Sequence, residues 1–298
     1  MSTTSVTLAA RRSLVLRLAD YVELTKPKIV FLELLAVAAA ALMAGLDPRL
    51  LMHALLGTAL VAASASALNQ WWEREVDSVM ERTADRPLPA GRLREGDVLA
   101  CGLISVIGGT LYLAAAVNLL TAGLGLLTWV LYVLVYTPLK ARTPVNTCVG
   151  AIAGAMPVLM GYAAMGRPLD LQAATLFLIV FLWQFPHFMA IAWIYRRQYR
   201  SAGMQMLTVV DPSGFRAGAQ AVLAALALVP VSLVPAVLPA AGHVYLYFGC
   251  AWLLGVGQLL CAVAFFKNLD DASARRLLRA TLVYLPALLL LFMLSTGI

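Results

Sequence analysis

Long apolar runs dominate the chain, and short polar segments separate them. A helix that crosses a bilayer needs roughly 17–25 predominantly apolar residues. Runs of this kind predict nine membrane-spanning helices, at about 28–45, 50–68, 98–117, 121–137, 145–165, 172–194, 218–239, 244–266 and 277–296. We therefore expect an all-α, polytopic membrane protein in which nine transmembrane helices surround a central cavity.

The composition supports this reading and adds no second domain. Of 298 residues, 62% are hydrophobic and 12% are charged, against about 25% charged in ordinary soluble domains. The four cysteines follow neither zinc-site nor disulfide spacing, so we interpret them as small core hydrophobes. No linker-like segment divides the chain. We expect an N-terminal cytoplasmic tail and interfacial segment at 1–27, followed by one intramembrane domain at 28–298.

The distribution of basic residues predicts the orientation in the membrane. The formal net charge of +7 is compatible with nucleic-acid binding, but in a membrane protein it more often reflects the positive-inside rule. With nine spans, only Arg49 and Arg167 of the 22 Lys and Arg residues lie on the side opposite the N-terminus. We therefore expect a cytoplasmic N-terminus in a bacterial inner membrane, a functional face toward the cytoplasm, and no nucleic-acid partner.

The first chemical pattern lies at the end of the second apolar run. Asn69, Glu73 and Asp77 are spaced four residues apart, so a helix places them on one face with a drift of about 40° per step. Two carboxylates and an amide oxygen form a hard-oxygen site suited to Mg²⁺, which usually also binds substrate phosphates. The alternative is a solvated helix end in which the acids pair with Arg74 or Arg82.

Two basic segments on the same side of the membrane extend this pattern. Arg82 and Arg86 follow the acids, and arginine recognises phosphate oxygens in a bidentate manner. Lys140 and Arg142 lie in the loop before the fifth span, where Asn146 follows. These groups are expected to stabilise a departing diphosphate. A plain positive-inside loop remains the alternative for the second segment.

Polar side chains also occur inside the sixth apolar run. Gln184 and His187 are three residues apart in segment 183–188, which places them on roughly one helix face. Polar groups at membrane depth are costly and indicate a functional site. A hydrogen bond between helices is the alternative for His187. Glu33 is a further intramembrane charge, for which pairing with a buried Arg or Lys is the alternative.

Together, these segments resemble the protohaem IX farnesyltransferase branch of the UbiA-type intramembrane prenyltransferases. The first aspartate-rich motif of that superfamily has the same spacing as Asn69, Glu73 and Asp77. The segments 80–88 and 136–146 are similar to the farnesyltransferase branch. Segment 183–188, followed by Tyr195 and Tyr199, is its most specific part. The resemblance covers roughly residues 20–290.

This resemblance implies transfer of the farnesyl group of farnesyl diphosphate to the 2-vinyl group of haem b. The products would be diphosphate and haem O, which serves the biogenesis of haem A and haem–copper oxidases. Mg²⁺ is the implied cofactor. The implied partners are membrane lipid, haem b, farnesyl diphosphate, and haem A synthase or oxidase assembly factors.

The resemblance also assigns site residues. The implied catalytic residues are Asn69, Glu73, Asp77, Arg82, Arg86, Lys140 and Arg142, of which the first three hold the metal. The implied haem-side residues are Trp183, Gln184, His187, Tyr195 and Tyr199. His187 would bind haem iron, contact a propionate or carry a proton. Further phosphate-side candidates are Asn146, Arg196 and Arg197.

One position departs from the family pattern. The superfamily has a second acidic cluster after the sixth span, where this chain has Gln198 preceded by Arg197. Asp211 is the only acid in that loop and is a weak substitute metal ligand.

Two alternative functions stay open: a UbiA-type prenyltransferase with a quinone-precursor acceptor, and a non-catalytic haem chaperone or transporter.

Overall fold

A computed structural model describes residues 3–237 and 244–295, and every regular element in these ranges is helical. Nine helices within those ranges are long and apolar enough to cross a membrane. Eight of the spans are α2 Pro27–Gly45, α3 Pro48–Val79, α4 Glu95–Ala116, α7 Asn146–Ala164, α8 Leu171–Ile194, α11 Phe215–Leu233 with a 3₁₀ turn Val234–Val237, α12 Val244–Asn268 and α13 Asp271–Ser295. The remaining span, fourth in chain order, joins α5 Leu119–Trp129, a π-helical stretch Val130–Tyr136 and α6 Thr137–Leu139. The non-spanning helices are α1 Thr3–Leu24, α9 Arg196–Ser201 and α10 Leu207–Val210.

The expected nine-helix architecture is confirmed, and two of the predicted bounds differ from the structure by more than three residues. Helix α3 continues to Val79 rather than ending near residue 68, because its last turns carry polar residues that face an internal cavity rather than lipid. Helix α13 begins at Asp271 rather than near 277, since its first turns are polar and lower the local hydropathy. The expected ends at 239 and 296 lie outside the described residues.

The helices pack mainly as neighbours in the chain, and the first and last spans close the bundle. Helix α2 contacts α3, α7 and α13, while α8 contacts α7, α11 and α13. Small residues allow a close crossing between α2 and α7. A Cβ atom on Gly161 would meet the carbonyl oxygen of Val37 and the side chain of Ala40. Such small-residue contacts are how membrane helices approach each other without a hydrophobic driving force.

The π-helical stretch Val130–Tyr136 lies near the end of the fourth span, just before its basic loop. A π-helix leaves a local gap in the backbone ladder and is frequent at functional sites. Here the hydroxyl group of Thr137 donates a hydrogen bond of 2.8 Å to the carbonyl oxygen of Tyr132. Tyr132 and Tyr136 both line the cavity, and Lys140 follows one turn later.

Candidate active site

A cavity of about 490 Å³ lies at the centre of the bundle. Its walls come from α2, α3, the fourth span, α7, α8 and α13. It brings two sets of sequence-predicted residues into one space. The first set is Asn69, Glu73, Asp77, Arg82, Arg86 and Lys140, and the second is Trp183, Gln184, His187 and Tyr199.

The three acidic-motif residues share one face of α3, as their spacing predicts. Asn69, Glu73 and Asp77 are 1%, 7% and 1% exposed. The alternative pairing with Arg74 or Arg82 is wrong. Arg74 pairs with Glu95 at 2.9 Å and with Glu75 at 3.5 Å.

Each acidic-motif residue instead contacts a cation from another segment. The Nζ atom of Lys26 donates a hydrogen bond of 2.7 Å to Oδ1 of Asn69. The Nζ atom of Lys140 lies 2.8 Å from Oε1 and 3.0 Å from Oε2 of Glu73. Arg86 pairs with Asp77, with 2.5 Å between Nη1 and Oδ2. Three donor groups and three cations therefore alternate at one end of the cavity.

The orientation of the Asn69 amide follows from the hydrogen bonds of Thr137. The single hydroxyl proton of Thr137 is donated to the carbonyl oxygen of Tyr132, so its oxygen can only accept the contact from Asn69. That contact, 3.1 Å long, comes from Nδ2 of Asn69. The amide oxygen consequently accepts the hydrogen bond from Lys26, and it is the atom that a metal ion would use as a ligand.

The loop after α3 is ordered by hydrogen bonds rather than by apolar packing alone. Thr83 is buried, and its hydroxyl group donates 2.8 Å to the carbonyl oxygen of Asp77. This contact returns the chain toward α3 and brings Arg86 back to the carboxylate of Asp77.

The guanidinium of Arg82 lies 5.0 Å from the centre of the Tyr195 ring, at the rim of the cavity. Its backbone N–H donates to Oε1 of Gln198 at 3.4 Å.

Lys26 is a site residue that the sequence reasoning counted only as one basic charge among many. It has a left-handed backbone, with φ of 52°, which is uncommon outside glycine. Burial, with further contributions from Arg86 and Lys140, lowers the pKa of Lys26 to about 7. The available signal was the Lys26–Pro27 pair directly before an apolar run, since proline favours the first helical position and fixes where the helix begins.

Lys140 stands where the fourth span ends. Its ammonium group lies 4.6 Å from the centre of the Tyr136 ring. Burial is the largest single influence and lowers the pKa of Lys140, but the Glu73 carboxylate together with Tyr136 and Tyr132 outweighs it, so the pKa lies above its ordinary value. Its carbonyl oxygen accepts a 2.7 Å hydrogen bond from the backbone of Gln205, which joins this loop to the segment after α9.

The residues of α8 that are predicted on the haem side, Trp183, Gln184 and His187, form another part of the cavity lining, the acceptor wall. The ring of His187 stacks on Trp183, with 4.8 Å between ring centres and 21° between planes. The side-chain amide of Gln184 donates 2.8 Å to the carbonyl oxygen of Ala151. A Cβ atom on Gly154 would collide with the Gln184 amide, so the absence of a side chain there makes room for it. Thr281 on α13, which the sequence reasoning missed, contacts both Trp183 and His187.

Several expected site residues lie elsewhere. Arg196 and Arg197 line a separate cavity of about 420 Å³ with Arg200, so they do not join the phosphate-side cations. The separation arises because the chain turns into the short helix α9 directly after α8. Arg196 also pairs with Asp271 at 2.7 Å. Glu33 lines the central cavity and, in the part of the chain that the structure describes, forms no ion pair with a Lys or Arg.

Three further candidate residues do not line the central cavity. Asn146 is buried and donates to the carbonyl oxygens of Thr143 and Gln205, so it braces the loop. Arg142 is exposed. Asp211 closes a turn, and the hydrogen bond from Ser213, followed by one from the Arg216 backbone, lowers the pKa of Asp211. The weak proposal of Asp211 as a metal ligand is therefore not supported by its position.

The donor set fits a hard divalent cation. Within the described ranges, no cluster of three or more His, Cys, Asp and Glu side chains exists that would hold a metal unaided. Asn69, Glu73 and Asp77 instead offer two carboxylates and one oriented amide oxygen. This is the partial oxygen set that Mg²⁺ uses when substrate phosphates complete its coordination.

The fold and this cavity together define a class of membrane-embedded enzyme. Residues 30–294 match the UbiA prenyltransferase family, and the chain belongs to that family. A solved UbiA homolog from Archaeoglobus fulgidus bound to DMAPP and Mg²⁺ shares the fold, with a TM-score of 0.72 and 14% identity over 94% of this chain and 99% of that one.

Curated relatives indicate one particular branch of this family. "Protoheme IX farnesyltransferase" from Solibacter usitatus (strain Ellin6076) is 44% identical over 279 residues, which cover 90% of this chain and 95% of that protein. The protein of the same name from Rhodopirellula baltica is 43% identical over 290 residues, covering 93% of this chain and all of the relative. The chain thus belongs among the protoheme IX farnesyltransferases of the family.

Proposed function

We propose that this enzyme transfers the farnesyl group of farnesyl diphosphate to the 2-vinyl group of haem b, giving haem O and diphosphate. The observation that carries the proposal is that one cavity joins an oxygen-and-cation face to an aromatic wall that contains His187. The relatives' shared name supports haem as the acceptor. A quinone-precursor acceptor, a haem chaperone and a transporter are the alternatives, and the assay below separates catalysis with either acceptor from the two non-catalytic functions.

At the diphosphate end, the proposed roles follow from the contacts. Asn69, Glu73 and Asp77 would hold Mg²⁺, which supplies neutralisation of the charge that develops on the leaving diphosphate. Three cations now pair with these donors. Once the donors coordinate a cation, Lys26, Arg86 and Lys140 are free to bind phosphate oxygens, with Arg82 at the rim.

At the acceptor end, apolar and aromatic side chains form most of the cavity lining. Loss of diphosphate gives the farnesyl group allylic-cation character. Trp129 and Tyr132 line the same cavity, and aromatic faces attract positive charge. The vinyl group of haem b is then the nucleophile, and water completes the hydroxyethylfarnesyl substituent.

The decisive assay is product identification. Purified enzyme, haem b, farnesyl diphosphate and Mg²⁺ should yield a porphyrin whose mass equals that of haem b plus one farnesyl group and one hydroxyl group. Parallel reactions use 4-hydroxybenzoate in place of haem b, and geranyl diphosphate in place of farnesyl diphosphate. Prenylation of the benzoate alone would reject haem as the acceptor. Haem binding without any product would favour a chaperone.

We propose a bacterial inner-membrane location with the N-terminus and the diphosphate end of the cavity on the cytoplasmic side. The support is the basic-residue bias, which leaves only Arg49 and Arg167 on the other side. Reporter fusions at Arg94, Arg142 and Lys267 should give cytoplasmic signals, and one at Arg167 should give a periplasmic signal. A periplasmic signal at Arg142 would reverse this orientation. Haem A synthase or oxidase assembly factors would receive the product.

A further inference from the structure

Thr281 on α13 holds two residues of the acceptor wall at once. Its side chain is fully buried. Its carbonyl oxygen accepts a 2.8 Å hydrogen bond from Nε1 of Trp183. Its hydroxyl oxygen lies 2.9 Å from Nδ1 of His187. One residue of α13 therefore fixes both members of the stacked pair on α8.

The hydrogen bonds of Thr281 determine which nitrogen of His187 carries the proton. A threonine hydroxyl has one proton to donate. Oγ1 of Thr281 lies 2.7 Å from the carbonyl oxygen of Leu278, which can only accept, so the proton is donated there. At the His187 contact, Oγ1 is therefore the acceptor and Nδ1 is the donor. A neutral imidazole protonated at Nδ1 has a free lone pair on Nε2.

The free nitrogen belongs to a ring that lines the central cavity. His187 is half-buried there, and its hydrogen bond to the side chains that the structure describes is made through Nδ1, to Thr281, and not through Nε2. Stacking on Trp183 fixes the plane of the ring, and the Thr281 contact fixes its rotation. Neutral imidazole nitrogen is a common axial ligand of haem iron.

We propose that Thr281 is a positioning residue, which holds His187 as the Nδ1–H tautomer so that Nε2 ligates the iron of the haem b substrate. The inference rests on the proposed function, because it takes haem b as the acceptor. Ligation from one side would set the depth and plane of the macrocycle before transfer. A second residue that fixes a ligand's tautomer typically contributes 10–100-fold to metal affinity.

The tautomer is tested without haem or activity. The chain has three histidines, so ¹⁵N-histidine labelling gives few signals, and His187→Ala assigns the relevant pair. Wild type and Thr281→Ser should show the Nδ1–H pattern of ¹⁵N shifts. Thr281→Val, which keeps the β-branch and the carbonyl group, should lose that preference. An Nε2–H pattern for His187 in the wild type would overturn the proposal, and that result does not depend on either Thr281 variant folding.

Ligation is tested by titrating haem b and recording the Soret band. The affinity of Thr281→Val for haem b should be at least about 10-fold lower, because the hydrogen bond that positions His187 is lost. Thr281→Ser should remain near wild type, and both variants should bind farnesyl diphosphate normally. Identical haem spectra for wild type and His187→Ala would reject ligation even if the enzyme still makes haem O. Failure of the product assay, with histidine ligation intact, would instead reject the proposed function alone.

Discussion

Replacing Asp77 by Asn should reduce turnover at least about 100-fold, the loss typical of removing one group that stabilises transition-state charge. Asp77 is buried, and it contributes one of two carboxylates at the diphosphate end of the cavity. Asn keeps the size and one oxygen, so the main change is loss of charge. Turnover should be measured across a Mg²⁺ titration, with wild type in excess chelator as the metal-free reference.

A matched control separates this effect from loss of an acid–arginine pair. Asp77 pairs with Arg86, and Asp20 pairs with Arg92 at 2.8 Å outside the cavity. Asp20→Asn should leave turnover within about twofold, since this pair does not line the cavity and Arg92 keeps a second partner in Glu23. If wild type retained full turnover in chelator, the metal role would be rejected. If Asp77→Asn and Asp20→Asn behaved alike, the carboxylate would have no special role.

Replacing Lys140 by Met should affect both stability and turnover. The side chains of Lys140 and Glu73 are 12% and 7% exposed, so the pair is largely removed from solvent. Removing one partner of a buried pair leaves an uncompensated charge and costs about 3–5 kcal/mol. Turnover should also fall, because Lys140 is proposed to bind the diphosphate. Thermal unfolding in detergent and steady-state kinetics measure the two effects separately.

The double variant Lys140→Met with Glu73→Gln distinguishes structure from catalysis. It removes both charges, so most of the lost stability should return. Turnover should not return, since both a metal ligand and a phosphate-binding cation are missing. Recovery of turnover in the double variant would show that the pair is only structural. Lys267→Met, at an exposed position near the end of α12, is the control for loss of a lysine.

The sequence alone determined the fold class, the number of spans and the face of α3 that carries the acids. Each of these depends on a local pattern in the sequence. Long apolar runs predict spans, and residues spaced four positions apart lie on one helix face. The predicted C-terminal end of α3, near residue 68, was the main error. Hydropathy falls where polar side chains face a cavity, although the helix itself continues to Val79.

The tertiary structure alone decided which cations meet which donors. Lys26, Arg86 and Lys140 come from three separate segments, and only packing brings them to Asn69, Asp77 and Glu73 respectively. Nothing in the spacing distinguishes these cations from Arg196 and Arg197, which the short helix α9 turns toward another cavity. A basic residue in a cytoplasmic loop satisfies the positive-inside rule wherever its side chain points.

The same reason explains why Thr281 was missed while His187 was found. A histidine inside an apolar run stands out in the sequence because its burial is costly. A threonine in such a run does not, since its hydroxyl group can bond to its own helix, as it does here with Leu278. The second contact, to a residue 94 positions earlier in the chain, exists only because α13 packs against α8. Local periodicity thus fixed the helices and their polar faces, and helix packing decided which side chains share the cavity.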